Sequence, residues 1–169
     1  MTARSLHLMP GTVDLDAIAT DATPGYDGGK RDGKAALEGL GPELADLQER
    51  LFAEGRATGS RRRLLLVLQG MDTSGKGGTL RHTVGLVDPQ GVRISSFKAP
   101  TAEELEHDFL WRIRRAVPEP GYLGVFDRSH YEDVLIARVN QLASADEIER
   151  RYDAITRSSA SWSRTGPSC

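Results

Sequence analysis

"LLLVLQGMDTSGKGGT", Leu64 to Thr79, joins a short apolar run to a glycine-rich loop. A continuous run of that length suits a strand buried on both faces of a parallel sheet. The loop fits the pattern G-x-x-x-x-G-K through Gly70, Gly75 and Lys76. That pattern is weak alone, but here it comes after a strand and opens a helix, which turns backbone N–H groups toward an anion. Gly77 stands where a serine or threonine hydroxyl normally meets magnesium. A metal ion held there lacks one hard oxygen, and Asp72, inside the loop, is the nearest replacement. Lys76 reads as a point charge for donor phosphates, with Gly70, Ser74, Gly75, Gly77, Gly78 and Thr79 as the phosphate-binding loop.

Downstream, Thr79 to Leu86 reads as helix and "VDPQG" as a turn before a second strand, "VRISSF". "TAEE", Thr101 to Glu104, has capping-box form and predicts one helix with Leu105, Phe109, Ile113 and Val117 on a shared face, ended by Pro118. A third strand, "YLGVF", closes at Asp127; a helix from about Tyr131 to Val139 comes next, and another begins after "SADE". The alternation predicts an α/β fold: a parallel sheet with flanking helices in three layers, like the phosphate-loop kinases. Upstream, leucines at three-to-four spacing predict an amphipathic helix over Lys34 to Glu54, while residues 1–35 read as an extended or disordered arm.

Asp127 ends an apolar run as the second carboxylate of phosphate-loop enzymes does, which makes it a metal candidate opposite the loop. Arg128 beside it is a fixed cation for phosphoryl oxygens. Ser129, Tyr131 and Glu132 begin the next helix and are candidates for binding an acceptor nucleotide; for His130 and Tyr131 a packing role competes equally. Lys98 lies after the second strand, at the carboxyl edge where open α/β sheets bind ligands. His107 and Asp108 lack a second ligand pair at metal spacing and read as supporting groups. Arg112, Arg114 and Arg115 read as a solvated basic face.

Of 169 residues, 38% are hydrophobic and 27% charged, with a formal charge of −2, which suits one globular domain. That balance gives no reason to expect nucleic acid or an anionic membrane as partner, so any polyanion site is a local patch. No stretch has the length of a membrane span or the apolar core of a signal peptide, and the only cysteine is Cys169. The chain reads as cytoplasmic.

With "LLLVLQGMDTSGKGGT", "GVRISSFKAPTAEELEHDFLWR" and "GVFDRSHYEDVL" in order, the chain resembles the polyphosphate kinase 2 family over roughly Ala36 to Ile155. The resemblance implies a kinase related in fold to the nucleoside monophosphate kinases. It implies transfer of a terminal phosphate from inorganic polyphosphate to AMP or ADP, giving ADP or ATP, with Mg²⁺. It also implies catalytic roles for Asp72, Lys76, Asp127 and Arg128, and a homo-oligomer for the full-length protein. "SHYEDVL" is similar to the subgroup that accepts both AMP and ADP. The Gly77 form of the loop then belongs to a kinase whose donor is a phosphate chain.

The departure from the family lies at the C-terminus, where members continue with further strands and a basic lid. After Ile155 this sequence turns to "TRSSASWSRTGPSC", without periodicity, so residues 156–169 read as an aberrant, disordered tail. Back-translated with GC-rich codons, a choice consistent with four lysines against eighteen arginines, the tail read one nucleotide out of register can give an amphipathic helix, a turn and a strand start. A frameshift and a truncated domain are therefore expected. Without later strands, "LLLVLQ" becomes an unprotected apolar edge, and the chain alone is expected to be poorly soluble or weakly active. The rival readings are an ATP-dependent small-molecule kinase and a nucleotide- or polyphosphate-binding remnant without turnover.

Overall fold

The computed structural model describes residues 11, 13, 14 and 16–163, the last by its backbone alone. The chain forms two compact units, Met1–Leu40 and Gly41–Cys169, so the boundary falls five residues beyond the expected arm. In the first unit, a turn closed by the Thr23 hydroxyl donating to the Tyr26 carbonyl precedes helix. Helix α1, Lys30–Ala57, begins four residues earlier than its leucine pattern indicates and contains Pro42.

In the second unit, three strands, β1 (Leu64–Leu68), β2 (Val92–Ser96) and β3 (Leu123–Asp127), form a parallel sheet in the order β1-β3-β2. Their register sets Leu68 and Ser96 on either side of Asp127, so all three strands end on one line. Alternation along each strand divides the core. On one face Phe97, Ile113, Phe126, Val134, Ile148 and Ile155 cluster, with Leu65 and Val67 against them. On the other, Val87, Leu123 and Val125 meet Leu44 of α1, together with Leu66 and Leu80. The result is the three-layer α/β arrangement that the alternation of elements predicts.

Helix α2, Lys76–His82, succeeds the loop and passes through a 3₁₀ turn at Val84–Leu86. The single helix expected after Thr101 is two: α3, Ala102–Leu105, and α4, Trp111–Ala116. The capping box forms as read, with the Glu104 N–H donating to the Thr101 hydroxyl and the Thr101 N–H to Glu104. Asp108 breaks the run: its side chain accepts from the Leu110 N–H at 3.0 Å and its carbonyl from the Trp111 N–H at 2.8 Å. An Asx-type turn thus restarts the helix, and Leu105 is left exposed while Ile113 is fully buried.

Helix α5 spans Glu132–Val139 and α6 Ala145–Ser163. Residues 156–163, expected as irregular tail, are helical. No glycine or proline interrupts them before Gly166, and Trp162 packs on the core. Strand β1 is the unprotected edge expected of a truncated sheet, and it is therefore half-buried instead of buried on both faces: Leu64 is 57% exposed, and among the described residues nothing pairs with its outer side.

Candidate active site

Because the sheet is parallel, the segments after β1, β2 and β3 all leave from the same edge. That edge gathers Gly70 to Lys76, Lys98 and Asp127 to Glu132, three segments that are distant in sequence. Ligands of open α/β sheets bind outside this carboxyl edge.

The loop between β1 and α2 is held in a backbone conformation that few residues accept. Gly75 has φ of +92° and Thr73 a φ of +67°, both left-handed. A Cβ on Gly70 would lie 2.7 Å from the Ser74 hydroxyl, so a larger residue there would make that hydroxyl turn away. The Lys76 ammonium donates to the carbonyls of Gly70 at 2.7 Å and Met71 at 2.8 Å, which fastens the lysine across the mouth of its own loop. Gly75, Gly77, Gly78 and Thr79 are exposed. Thr79 donates its hydroxyl to the Gly75 carbonyl.

Arg128 is the second constrained residue, with φ of +65°. A non-glycine residue in this region carries strain that its surroundings must hold, a condition common at functional sites. Its N–H still donates to the Leu68 carbonyl at 2.9 Å, which keeps it in the β1–β3 pairing. Its guanidinium donates to Asp72 Oδ1 at 2.7 Å and lies 3.8 Å from Glu132. Asp72 is 83% exposed, so this pair contributes orientation more than stability.

Gln69, absent from the sequence-based candidates, links the segments. Its amide donates to Glu132 Oε1 at 2.7 Å and accepts from the Ser129 hydroxyl at 3.0 Å. Ser129 is fully buried and its oxygen also accepts from the Tyr131 N–H. Ser129 and Glu132, candidates for nucleotide contact, are therefore engaged in the framework of the site. Tyr131 lies with its ring 4.8 Å from that of His130 and lines a 380 Å³ cavity between β1 and α6. His130 itself is 2% exposed, and neither ring nitrogen has a hydrogen-bond partner among the described residues. Burial holds its imidazole below the ordinary range, in the neutral form.

Lys98 lines a 590 Å³ groove along β2 with Ser95, Thr101 and Arg115. Arg112 also reaches that groove, and here the reading of a solvated basic face fails: the side chain is 7% exposed and paired with Glu104 and Asp133. Arg114 pairs with Asp108, and His107 stacks on Trp111 with ring centroids 4.1 Å apart. Both supporting groups on that segment thus have local partners.

Asp127 Oδ1 is buried and makes no hydrogen bond among the described residues. An orphaned carboxylate oxygen on a residue that ends a strand, at the edge that carries the loop, fits a divalent ion. Among the described residues no group of three or more His, Cys, Asp or Glu gathers at metal spacing. That is compatible with Mg²⁺, which keeps near-octahedral oxygen geometry through one or two carboxylates with phosphate oxygens and water. No helix among the described residues is long and apolar enough to cross a membrane.

The family model for polyphosphate kinase 2 matches residues 28–166. The AMP/ADP-polyphosphate phosphotransferase of Meiothermus ruber is 44% identical over 142 residues, which cover 84% of this chain and 51% of that protein. The ADP-polyphosphate phosphotransferase of Rhodopseudomonas palustris is 44% identical over 128 residues, 76% of this chain and 42% of that one. The crystal structure of polyphosphate kinase 2 from Arthrobacter aurescens superimposes with a TM-score of 0.90 at 54% identity, covering 95% of this chain and 56% of the other. The chain thus spans about half the length of the relatives it matches. A phosphate loop without its hydroxyl, an aspartate-arginine pair across the strand ends and a sheet shared with a solved kinase agree with the sequence motifs, and the chain belongs to the polyphosphate kinase 2 family.

Proposed function

We propose that this chain is the donor-loop portion of a polyphosphate-dependent nucleotide kinase, which moves the terminal phosphate of inorganic polyphosphate to AMP or ADP. The observation that carries this reading is the Arg128–Asp72 contact across the edge, with the unpartnered Asp127 oxygen beside it. Two loops that bear phosphate-recognising groups are joined there by a charged pair. The names of the relatives support polyphosphate as donor and AMP or ADP as acceptor.

In this mechanism Lys76 exchanges its loop carbonyls for the oxygens between donor phosphates, while the N–H groups around Gly75 to Gly78 approach the chain closely. Asp72 and Asp127 would hold Mg²⁺, which would supply charge to offset the phosphoryl oxygens. Arg128 turns from Asp72 toward the group in transfer, where negative charge accumulates in the transition state. Lys98 neutralises phosphate on the β2 side. Tyr131 and Glu132 face the acceptor, and buried Ser129 fixes the turn that presents them. The attack is in line, and the protein contributes positioning and electrostatics in place of covalent chemistry. The proposed nucleotide substrates and the cysteine-poor composition support a cytoplasmic setting, and the family resemblance implies a homo-oligomeric full-length enzyme.

The test supplies polyphosphate with AMP or ADP, and separately ATP with small-molecule acceptors. ADP or ATP formed from polyphosphate supports the proposal. Product only with ATP as donor overturns it, and polyphosphate binding without turnover reduces this chain to a binding remnant.

A further inference from the structure

Arg112 is a long cation in the core of the second unit, and its bonds lead to the site. One guanidinium nitrogen donates to the Lys98 carbonyl at 2.8 Å and lies 3.5 Å from Glu104 Oε2. The other donates to Asp133 Oδ2 at 3.2 Å. The guanidinium carbon stands 5.6 Å from the centre of the Phe97 ring. Each partner belongs to a different segment. Lys98 lies just beyond β2, Glu104 closes the capping box of α3, and Asp133 is in the first turn of α5, one residue past Glu132. From the far side Arg151 of α6 donates to the Asp133 carbonyl at 2.8 Å.

Removing a guanidinium from water is expensive, and an apolar residue of similar volume fills such a space at less cost. What the arginine adds is a fork with fixed geometry, able to bind three acceptors at once. A lysine at this position keeps the charge but not the fork. Arg112 and Glu104 also form the wall between the Lys98 groove and a 340 Å³ cavity lined by His107, Glu147 and Arg151. Any shift of that wall moves the Lys98 loop relative to α5.

We propose that Arg112 is a positioning residue: it clamps the Lys98 loop to the first turn of α5, so that Lys98 and the Arg128–Glu132 segment meet the substrate as one unit. Burial raises the Asp133 carboxyl above its ordinary range, and Arg112 opposes that rise. Loss of the clamp therefore leaves a carboxyl favouring protonation beside Glu132. The kinetic part of this inference rests on the phosphotransfer reading; the structural part does not.

Hydrogen exchange on Arg112→Lys and Asp133→Asn tests the clamp directly. The amides of Phe97 and Thr101, and those of Asp133 to Leu135, are expected to exchange about tenfold faster, as the loss of a charged hydrogen bond allows, while Val125 and Phe126 stay protected. Unchanged exchange in the two segments, or a rise shared equally by β3, overturns the proposal. Should Arg112→Lys fail to fold, Asp133→Asn decides by the same criterion. In turnover assays, Arg112→Lys is expected to raise the KM for nucleotide about tenfold and to blunt the effect of Lys98→Ala in the double variant. Additive effects of the two substitutions overturn the coupling. A parent chain without turnover sinks the phosphotransfer reading alone, and exchange still decides the clamp.

Discussion

Lys76 and Arg128 share a feature: each is tied to its own loops by groups that a phosphate can replace. Lys76→Ala is therefore expected to lower kcat by at least about 10²–10³-fold, the range for loss of a charge-stabilising donor, with little change in thermal stability. Gly75→Ala acts through the backbone. At φ of +92° a Cβ adds about 1–2 kcal/mol of strain, so a lowered Tm should accompany the loss of phosphate binding. His130 offers a test by pH. Its imidazole ionises below the ordinary 6.5 when folded, so under that pH the unfolded chain takes up a proton that the folded one refuses. Stability falls as the pH drops through 6.5. Asp133, whose carboxyl is raised, works in the opposite sense and gains stability on acidification. His130→Phe is expected to remove the His130 share, which denaturant titrations at pH 7.5 and 5.5 will show as a smaller difference than in the parent. Asp72, Lys76, Asp127 and Arg128 were legible because they lie within short motifs whose spacing implies their placement. Gln69 and Arg112 were not. A helical face predicted solvent for Arg112, and nothing local announces that Asp133, twenty-one residues away, lies opposite it.

Among the elements, the three strands and α5 match their sequence patterns to within a residue, since short runs of strand-favouring residues bounded by turns leave little choice of state. The break between α3 and α4 escaped because Leu105, Phe109, Ile113 and Val117 keep helical spacing across it. Asp108 wins locally by offering the backbone a different acceptor. Thr101→Ala should cost about 1 kcal/mol through the lost cap, measurable by chemical denaturation. Helix α6 makes the opposite point. Its final turns lack an apolar period, yet Trp162 reaches His130 with ring centroids 5.9 Å apart and joins the core. Trp162→Ala is expected to cost about 1–2 kcal/mol, less than a fully buried aromatic, and to loosen residues 156–163 in hydrogen exchange.

At the largest scale, the second unit is built on a three-stranded sheet with β1 at one margin. Its outer N–H and C=O groups and exposed Leu64 form a template for association. Leu64→Lys should reduce concentration-dependent light scattering without altering turnover, because this end of β1 lies away from the loop. The three-layer order was readable from the alternation of strands and helices. The edge position of β1 came from the family resemblance, and the central place of β3 was not readable, since no local pattern records which crossovers the chain makes.

The shared direction of the strands has a practical side. With the candidate site residues gathered at one rim, the opposite rim is left for attachment. There exposed Gly59 and Arg61 lead into β1, and a Cβ built on Gly59 would meet nothing within 4 Å. An affinity handle or fluorophore attached at Arg61 would tether the protein to a bead or surface with the carboxyl ends of its strands turned outward.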